Sequence, residues 1–336
     1  MADGSSLAQD LQAMNESSDA RAPGRRTPPS RIEIGLVNNM PDSALAATER
    51  QFAGLVAGAA GGLEVRLRLF SLAGVPRSAL TREAMAGRYG DIAALKAAGL
   101  DAVIVTGAEP RTADLRAEPY WNELCDLIDW ARDHTASALW SCLAAHAAVL
   151  HLDGIERQPL ARKCAGVFTC ERVADDPVIE GVPAMIRMPH SRRNGLPILD
   201  LAARGYHLLT ESREAGADIF VRREPSLFLF FQGHPEYEAD SLLREYCRDV
   251  GRHLRGEHEA PPAPPTGYFD QATETAFRAL AAEAVRAPAS RLMARCGEIA
   301  AAFTPPQPWK GHAQTLFRNW LGQVAMAKGI ERTALV

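Results

Sequence analysis

The chain has 336 residues, 47% of them hydrophobic and 23% charged, with a net charge of −4 at pH 7. That length accommodates one large α/β domain with extensions or two modest domains, and the slightly acidic balance excludes a polyanion binder, so no nucleic acid is expected as partner. No apolar signal region and no run of about 18 apolar residues occurs, so neither secretion nor a membrane segment is expected, and a cytoplasmic protein is.

Residues 1–30 mix Gly, Ser, Asp, Arg and Pro with few apolar positions and are expected to form a disordered tail. Ile32-Glu33-Ile34-Gly35-Leu36-Val37 reads as a strand that reaches a turn at Asn38-Asn39-Met40-Pro41, followed by a helix over about 42–56. Leu63, Val65, Leu67 and Leu69 alternate with Glu64, Arg66 and Arg68, the period of a second strand. An alanine-rich helical stretch to about Ala98 precedes the continuous apolar run 102–106, which stops at Gly107 as a buried parallel strand does. Residues 120–133 have helical spacing, and Ala136-Ser137-Ala138-Leu139-Trp140 leads through Ser141-Cys142 into an alanine-rich helix ending near Leu150.

Farther along, 167–173, 206–209 and 219–222 are shorter strand candidates, and 227–231 is the strongest, ending at Gln232-Gly233-His234-Pro235-Glu236. A helix over about 240–254 precedes a proline-rich connector at 257–266, and two helices near 271–285 and 312–327 complete the chain. Strands alternating with helices predict an α/β fold with a mostly parallel twisted sheet covered on both faces. The predicted organisation is an α/β domain over 31–256, with the C-terminal helices packed on the same domain.

The six cysteines show no C-x-x-C pair and no spacing suited to zinc, so no metal site is expected and five are read as thiols without chemistry. Cys142 differs, because it lies between an apolar strand and a helix of small residues, where a doubly wound sheet presents ligand-facing groups. A helix N-terminus stabilises an anion at such a nucleophile elbow, and the backbone N–H of Leu143 is an oxyanion donor, with a second expected from Gly107 or Ala108. His234 follows another strand and so reaches the same sheet edge, where Glu236 can orient its far nitrogen. Cys142, His234 and Glu236 are therefore the expected nucleophile, base and orienter.

The strand-Cys142-helix unit together with Gly233-His234-Pro235-Glu236-Tyr237 resembles class I glutamine amidotransferase-like (flavodoxin-like) proteins. Further segments resemble the homoserine O-succinyltransferase family: Val105-Thr106-Gly107-Ala108, Tyr120-Trp121, Asp129-Trp130-Ala131, Lys163-Cys164-Ala165-Gly166-Val167, Pro189-His190-Ser191-Arg192, Arg248-Asp249-Val250 and Trp309-Lys310-Gly311-His312. The matches run in order over about residues 100–325.

The resemblance implies ping-pong transfer of a succinyl or acetyl group from coenzyme A to the hydroxyl of L-homoserine, in methionine biosynthesis, with succinyl-CoA or acetyl-CoA as co-substrate and no bound cofactor. It places Lys163, Ser191, Arg192 and Arg248 in the substrate site. The position associated in the family with donor choice is Arg111 here, where glycine goes with succinyl and glutamate with acetyl; a guanidinium can pair with the succinyl carboxylate, which favours succinyl. The chain departs from the family at Asp42-Ser43, where a lysine is usual, at Leu143 in place of tryptophan, and at His146 in place of glutamine. The first departure predicts a missing positive charge near the site and the other two an altered pocket wall, which admits serine or another hydroxyl amino acid as acceptor. A glutamine amidotransferase-like hydrolase, and a relative that binds without catalysis, are the alternative readings. The helix bearing Phe317 and Trp320 is expected to offer apolar surface for a homodimer.

Overall fold

In the first strand, β1 (Arg31–Val37), Ile32, Ile34 and Leu36 point to one side and Val37 to the other, and both sides are buried. The same two-sided burial recurs in β4 (Ala102–Thr106), β5 (Ser137–Ser141) and β10 (Leu227–Phe231), which explains their unbroken apolar runs. The computed structural model describes residues 31–223, 225–257, 260–283 and 288–330; the expected tail over residues 1–30 lies outside the described residues.

Between β1 and β4 run α1 (Asp42–Ala59), β2 (Glu64–Phe70), α2 (Ala79–Met85), the two-residue edge strand β3 (Tyr89–Gly90) and α3 (Ile92–Lys96). The expected alanine-rich helical stretch is thus cut in two. Gly87 adopts a left-handed φ of 74° that ends the first piece, and Tyr89–Gly90 pairs with β2. Then α4 (Trp121–His134) packs beside α5 (Leu143–Asp153), which is closed by Gly154 at φ 69°.

The remaining elements are β6 (Gln158–Arg172), β7 (Met185–Gly195), α6 (Ile198–Ala203), β8 (His207–Ser212), β9 (Gly216–Arg223), α7 (Ser241–Leu254), α8 (Gln271–Glu283), α9 (Ala289–Ala302) and α10 (Lys310–Ala327). Among the described residues ten strands form one sheet in the order β3-β2-β1-β4-β5-β10-β9-β8-β6-β7. It is parallel from β3 to β10 and antiparallel beyond, the mostly parallel α/β sheet anticipated.

Val103, Val105, Trp140, Phe228 and Phe230 pack beneath α4 and α5, while Ile104, Leu139, Leu229 and Phe231 pack beneath α1 and α10. Each such side chain contributes about 1.5–3 kcal/mol by leaving water. Phe317 and Trp320 of α10 are both fully buried in this second layer, and the Trp320 indole donates to Ser137 Oγ at 2.9 Å. This corrects the expectation that they offer surface to a second subunit, because the chain's own sheet already covers them. Another correction concerns number: among the described residues three C-terminal helices stand where two were expected. Residues 284–287, where the first of those two should end, lie outside the described residues. Among the described residues no helix is long and apolar enough to cross a membrane.

Candidate active site

The C-terminal ends of β1, β4, β5 and β10 are neighbours in the sheet, so the turns that follow them converge, as expected of the ligand-facing edge of such a fold. Ser141 pairs in register with Phe231, and Cys142 N–H donates to the Phe231 carbonyl at 2.7 Å, which fixes the two turns side by side. Cys142 has φ 51° and ψ −109°, the only positive φ at a non-glycine residue among the described residues. Such a conformation costs about 1–3 kcal/mol and persists only where the surroundings enforce it. Here β5 on one side and the first turn of α5 on the other enforce it, and they lift the half-exposed thiol off the sheet edge.

Gly107 ends β4 directly against this turn. A Cβ added there would lie 3.1 Å from both the N and Cα of Leu143 and closer still to its Cβ. The approach is therefore available only to glycine. Thr106, just before it, is held from β1: Asn39 N–H donates to Thr106 Oγ1 at 2.8 Å, and the Asn39 amide donates to the Thr106 carbonyl at 3.2 Å. Asn39 is a site-building residue that the sequence showed only as part of a turn.

The turn itself is braced by a cation distant in sequence. Arg77 donates to the carbonyls of Asn38 (3.0 Å) and Met40 and lies 3.5 Å from Asp42, with its side chain only 5% exposed.

His234 is held by its N–H, which donates to the Pro189 carbonyl at 2.8 Å, and by its ring, which stacks on Tyr237 with centroids 4.3 Å apart. Its Nδ1 lies 2.8 Å from Glu236 Oε1; an ionised carboxylate only accepts, so Nδ1 donates. Burial pushes the imidazole toward neutrality, but the charges of Glu236 and Cys142 and hydrogen bonds to both hold its pKa well above the ordinary value. Gly233 before it leaves no room for a side chain, since a Cβ would lie 2.7 Å from Asp218 Oδ1. Gln232 completes the clamp: its N–H donates to the Asp218 carbonyl at 2.8 Å, and its side-chain oxygen meets His146 Nε2 at 3.1 Å. His146 is therefore a buried strut under the His234 turn rather than the pocket wall expected, and burial, aided by Arg192, pushes its pKa down to about 3. Leu143, in contrast, does line a small cavity with Gly107, Ala108, Tyr120 and Trp121.

The structure brings some of the expected substrate residues together around two carboxylates one turn apart on α7. Asp249 accepts from Lys163 Nζ at 2.7 Å and from Arg248 at 3.2 Å. Burial alone raises its pKa, yet the two cations hold it below the usual range. Glu245, which sequence reasoning did not single out, accepts from Ser191 Oγ and, at 2.6 Å, from Tyr237 Oη. Burial and then the Glu245 carboxylate push the Tyr237 phenol well above its ordinary pKa, so it stays a donor. Because Tyr237 stacks on His234, this carboxylate is one residue removed from the imidazole.

Arg192 is not part of that group. It is buried, and its fork donates to the carbonyls of Asn194 (2.7 Å) and Ala215, leaving only Nε without a partner among the described residues. Arg111 is elsewhere too, exposed on the loop between β4 and α4. That loop is fastened by Glu118, which accepts from the N–H groups of Arg111 (2.6 Å) and Thr112 (2.7 Å), and by Arg157, which donates to the Ala113 carbonyl at 2.7 Å. No hydrophobic period marks such fasteners, so pattern reading passes over them.

This architecture is that of a glutamine amidotransferase-like α/β protein, and a solved glutamine amidotransferase from Methylobacillus flagellatus shares the fold, with 16% identity, a TM-score of 0.50 and coverage of 88% of this chain and 95% of that one. The family model for homoserine O-succinyltransferase matches residues 8–329. Proteins named homoserine O-succinyltransferase are 52% identical in Rhodopseudomonas palustris, covering 91% of this chain and 92% of the relative, and 49% identical in Bradyrhizobium japonicum, covering 90% and 92%. The chain belongs to the homoserine O-succinyltransferase family.

Proposed function

We propose that this protein transfers the succinyl group of succinyl-CoA to the hydroxyl of L-homoserine through a thioester on Cys142, a step of methionine biosynthesis in the cytoplasm. The observation that carries this reading is the Cys142 elbow facing His234, itself paired with Glu236, within a member of this family. His234 takes the proton of the Cys142 thiol, the sulfur attacks the thioester carbonyl, and the oxyanion is met by the backbone N–H of Leu143 together with that of Gly107 or Ala108. Collapse breaks the carbon–sulfur bond to coenzyme A, whose thiolate takes a proton from the His234 imidazolium. His234, now neutral, removes the homoserine hydroxyl proton; the alkoxide attacks the acyl-Cys142, and expulsion of the sulfur completes the cycle.

The acceptor's ammonium group needs a carboxylate and its carboxylate needs a cation. Glu245 suits the first, and Arg248 with Lys163, balanced across Asp249, suits the second. Ser191 holds Glu245 in place, and Arg192, with its fork engaged, shapes the strand and offers only Nε. Intact mass after incubation with succinyl-CoA tests the proposal. Addition of one succinyl group, discharged by homoserine, supports it; no adduct, or glutamate release from glutamine instead, rejects it in favour of the amidotransferase reading.

Two expected results follow from this mechanism. Gly107→Ala forces Leu143 N–H out of position and lowers kcat by roughly 10²–10³-fold, with homoserine KM nearly unchanged; wild-type kcat in this variant would remove Gly107 from the oxyanion site. Arg111→Glu tests whether the exposed loop reaches the donor: a like charge facing the succinyl carboxylate shifts the succinyl-to-acetyl ratio of kcat/KM by about tenfold toward acetyl. An unchanged ratio in competition assays would show that Arg111 does not select the donor.

A further inference from the structure

A cavity of about 660 Å³ lies between the β6–β7 arm, α7 and the proline-rich connector. Homoserine is far smaller, and a volume of this order suits a ligand of drug or cofactor size. Its wall is built from both chemistries such a ligand needs. Pro261, Pro262, Pro264 and Pro265 supply rigid apolar surface, and the arm supplies positive charge.

The arm's register explains where that charge sits. Pro159 pairs with Asn194 and Cys164 with Arg192, so on β6 residues 160–163 face the single residue Arg193 on β7. A bulge of this kind re-aims side chains away from the strand's alternation, and here it puts Arg162 and Arg193 together on the cavity wall.

The other charges of the wall are spent on one another. Lys163 is bonded to Asp249 at 2.7 Å, and Arg278 to Glu274 at 2.6 Å. Arg162 and Arg193 are exposed and have no hydrogen-bond or ion-pair partner among the described residues. A guanidinium is the side chain best matched to phosphate oxygens, which it binds with two parallel N–H groups.

The cavity borders the residues that support the reacting groups. Glu245 lines it and bonds Tyr237, which stacks on His234. Ala165 lines it as well, next in sequence to the buried Cys164. One wall of the cavity is therefore shared with residues that adjoin the reacting groups.

We propose that this cavity holds the nucleotide end of the coenzyme A thioester, with Arg162 and Arg193 binding its phosphates and the connector prolines covering the rest. The proposal rests on the acyl-CoA reading given above. Both arginines are solvent-facing on the arm, so Arg162→Ala, Arg193→Ala and the double variant are expected to fold.

With succinyl-CoA, KM rises by about tenfold for each arginine removed, while kcat and the KM for homoserine stay close to wild type. With the succinyl thioester of N-acetylcysteamine, which lacks the nucleotide, the same substitutions have no effect. Calorimetry with adenosine 3′,5′-bisphosphate shows binding to the wild type that the double variant loses. An unchanged KM for succinyl-CoA, an equal loss with both thioesters, or no binding of the bisphosphate by the wild type overturns the subsite. Turnover of either thioester with homoserine in the wild type would leave the acyl-transfer reading standing. If the wild type transfers from neither thioester, that reading fails by itself, and bisphosphate binding that depends on the two arginines still supports a nucleotide site.

Discussion

Cys142→Ala is expected to abolish acyl-enzyme formation and to lower turnover by at least about 10⁴-fold, because a two-step transfer has no route around its nucleophile. Little else should change. Alanine has a smaller side chain at a half-exposed position, and the backbone bonds of the turn, Cys142 N–H to Phe231 and Ala145 N–H to Cys142, do not involve the sulfur. The thermal midpoint should therefore move little, and homoserine should still bind. Normal turnover by this variant, or a succinyl adduct of unchanged mass on it, would refute the covalent route.

The second large effect lies at His234. His234→Ala removes the group that moves both protons and is expected to cost roughly 10²–10⁴-fold in kcat. Glu236→Gln leaves the base in place and should cost less, but it carries a diagnostic sign. The Glu236 charge helps hold the His234 pKa well above its ordinary value against the effect of burial. The neutral ring is the form that accepts the homoserine proton, so discharge of the acyl-enzyme rises with pH through that pKa. Removing the carboxylate lowers the pKa, so the acidic limb of the discharge rate moves to lower pH even as the plateau falls. A limb that moves upward, or a Glu236 variant more damaged than His234→Ala, would reverse the two roles.

The features legible in sequence are those that repeat a simple physical rule. β4, β5 and β10 are buried on both faces, so their apolar runs are continuous; the turns after β4 and β10 are marked by Gly107 and Gly233, where neighbours approach too closely for a side chain, and the turn after β5 by Cys142 between an apolar run and a helix. Of the arm only the inner part of β6 was legible, as the strand candidate 167–173, and the rest was hidden for the opposite reason. Its outer part on β6 is exposed residue after residue, and β7, an edge strand, contains Pro189 and three arginines, so neither shows alternation. Glu245, Arg77 and Glu118 escaped notice because each acts through a partner distant in sequence or one turn away, and an isolated charge looks the same whether it faces solvent or a hydroxyl. Arg192 shows the converse, since a motif match told nothing of where its guanidinium would be spent.

The placement of α10 also bears on how the chain is made. Ile32, Ile34 and Leu36 belong to the same buried layer as Leu316, Phe317 and Trp320, which a ribosome adds about 280 residues later. At about 5–20 residues per second, the sheet must wait tens of seconds with that face uncovered. The α4–α5 side can settle during synthesis, but the strand that carries His234 gains its backing only when Phe317 stacks on Phe231, 6.3 Å away between centroids. Nascent chains stalled before residue 310 should therefore hold to chaperones that grip apolar strands, and release from them should follow the docking of α10.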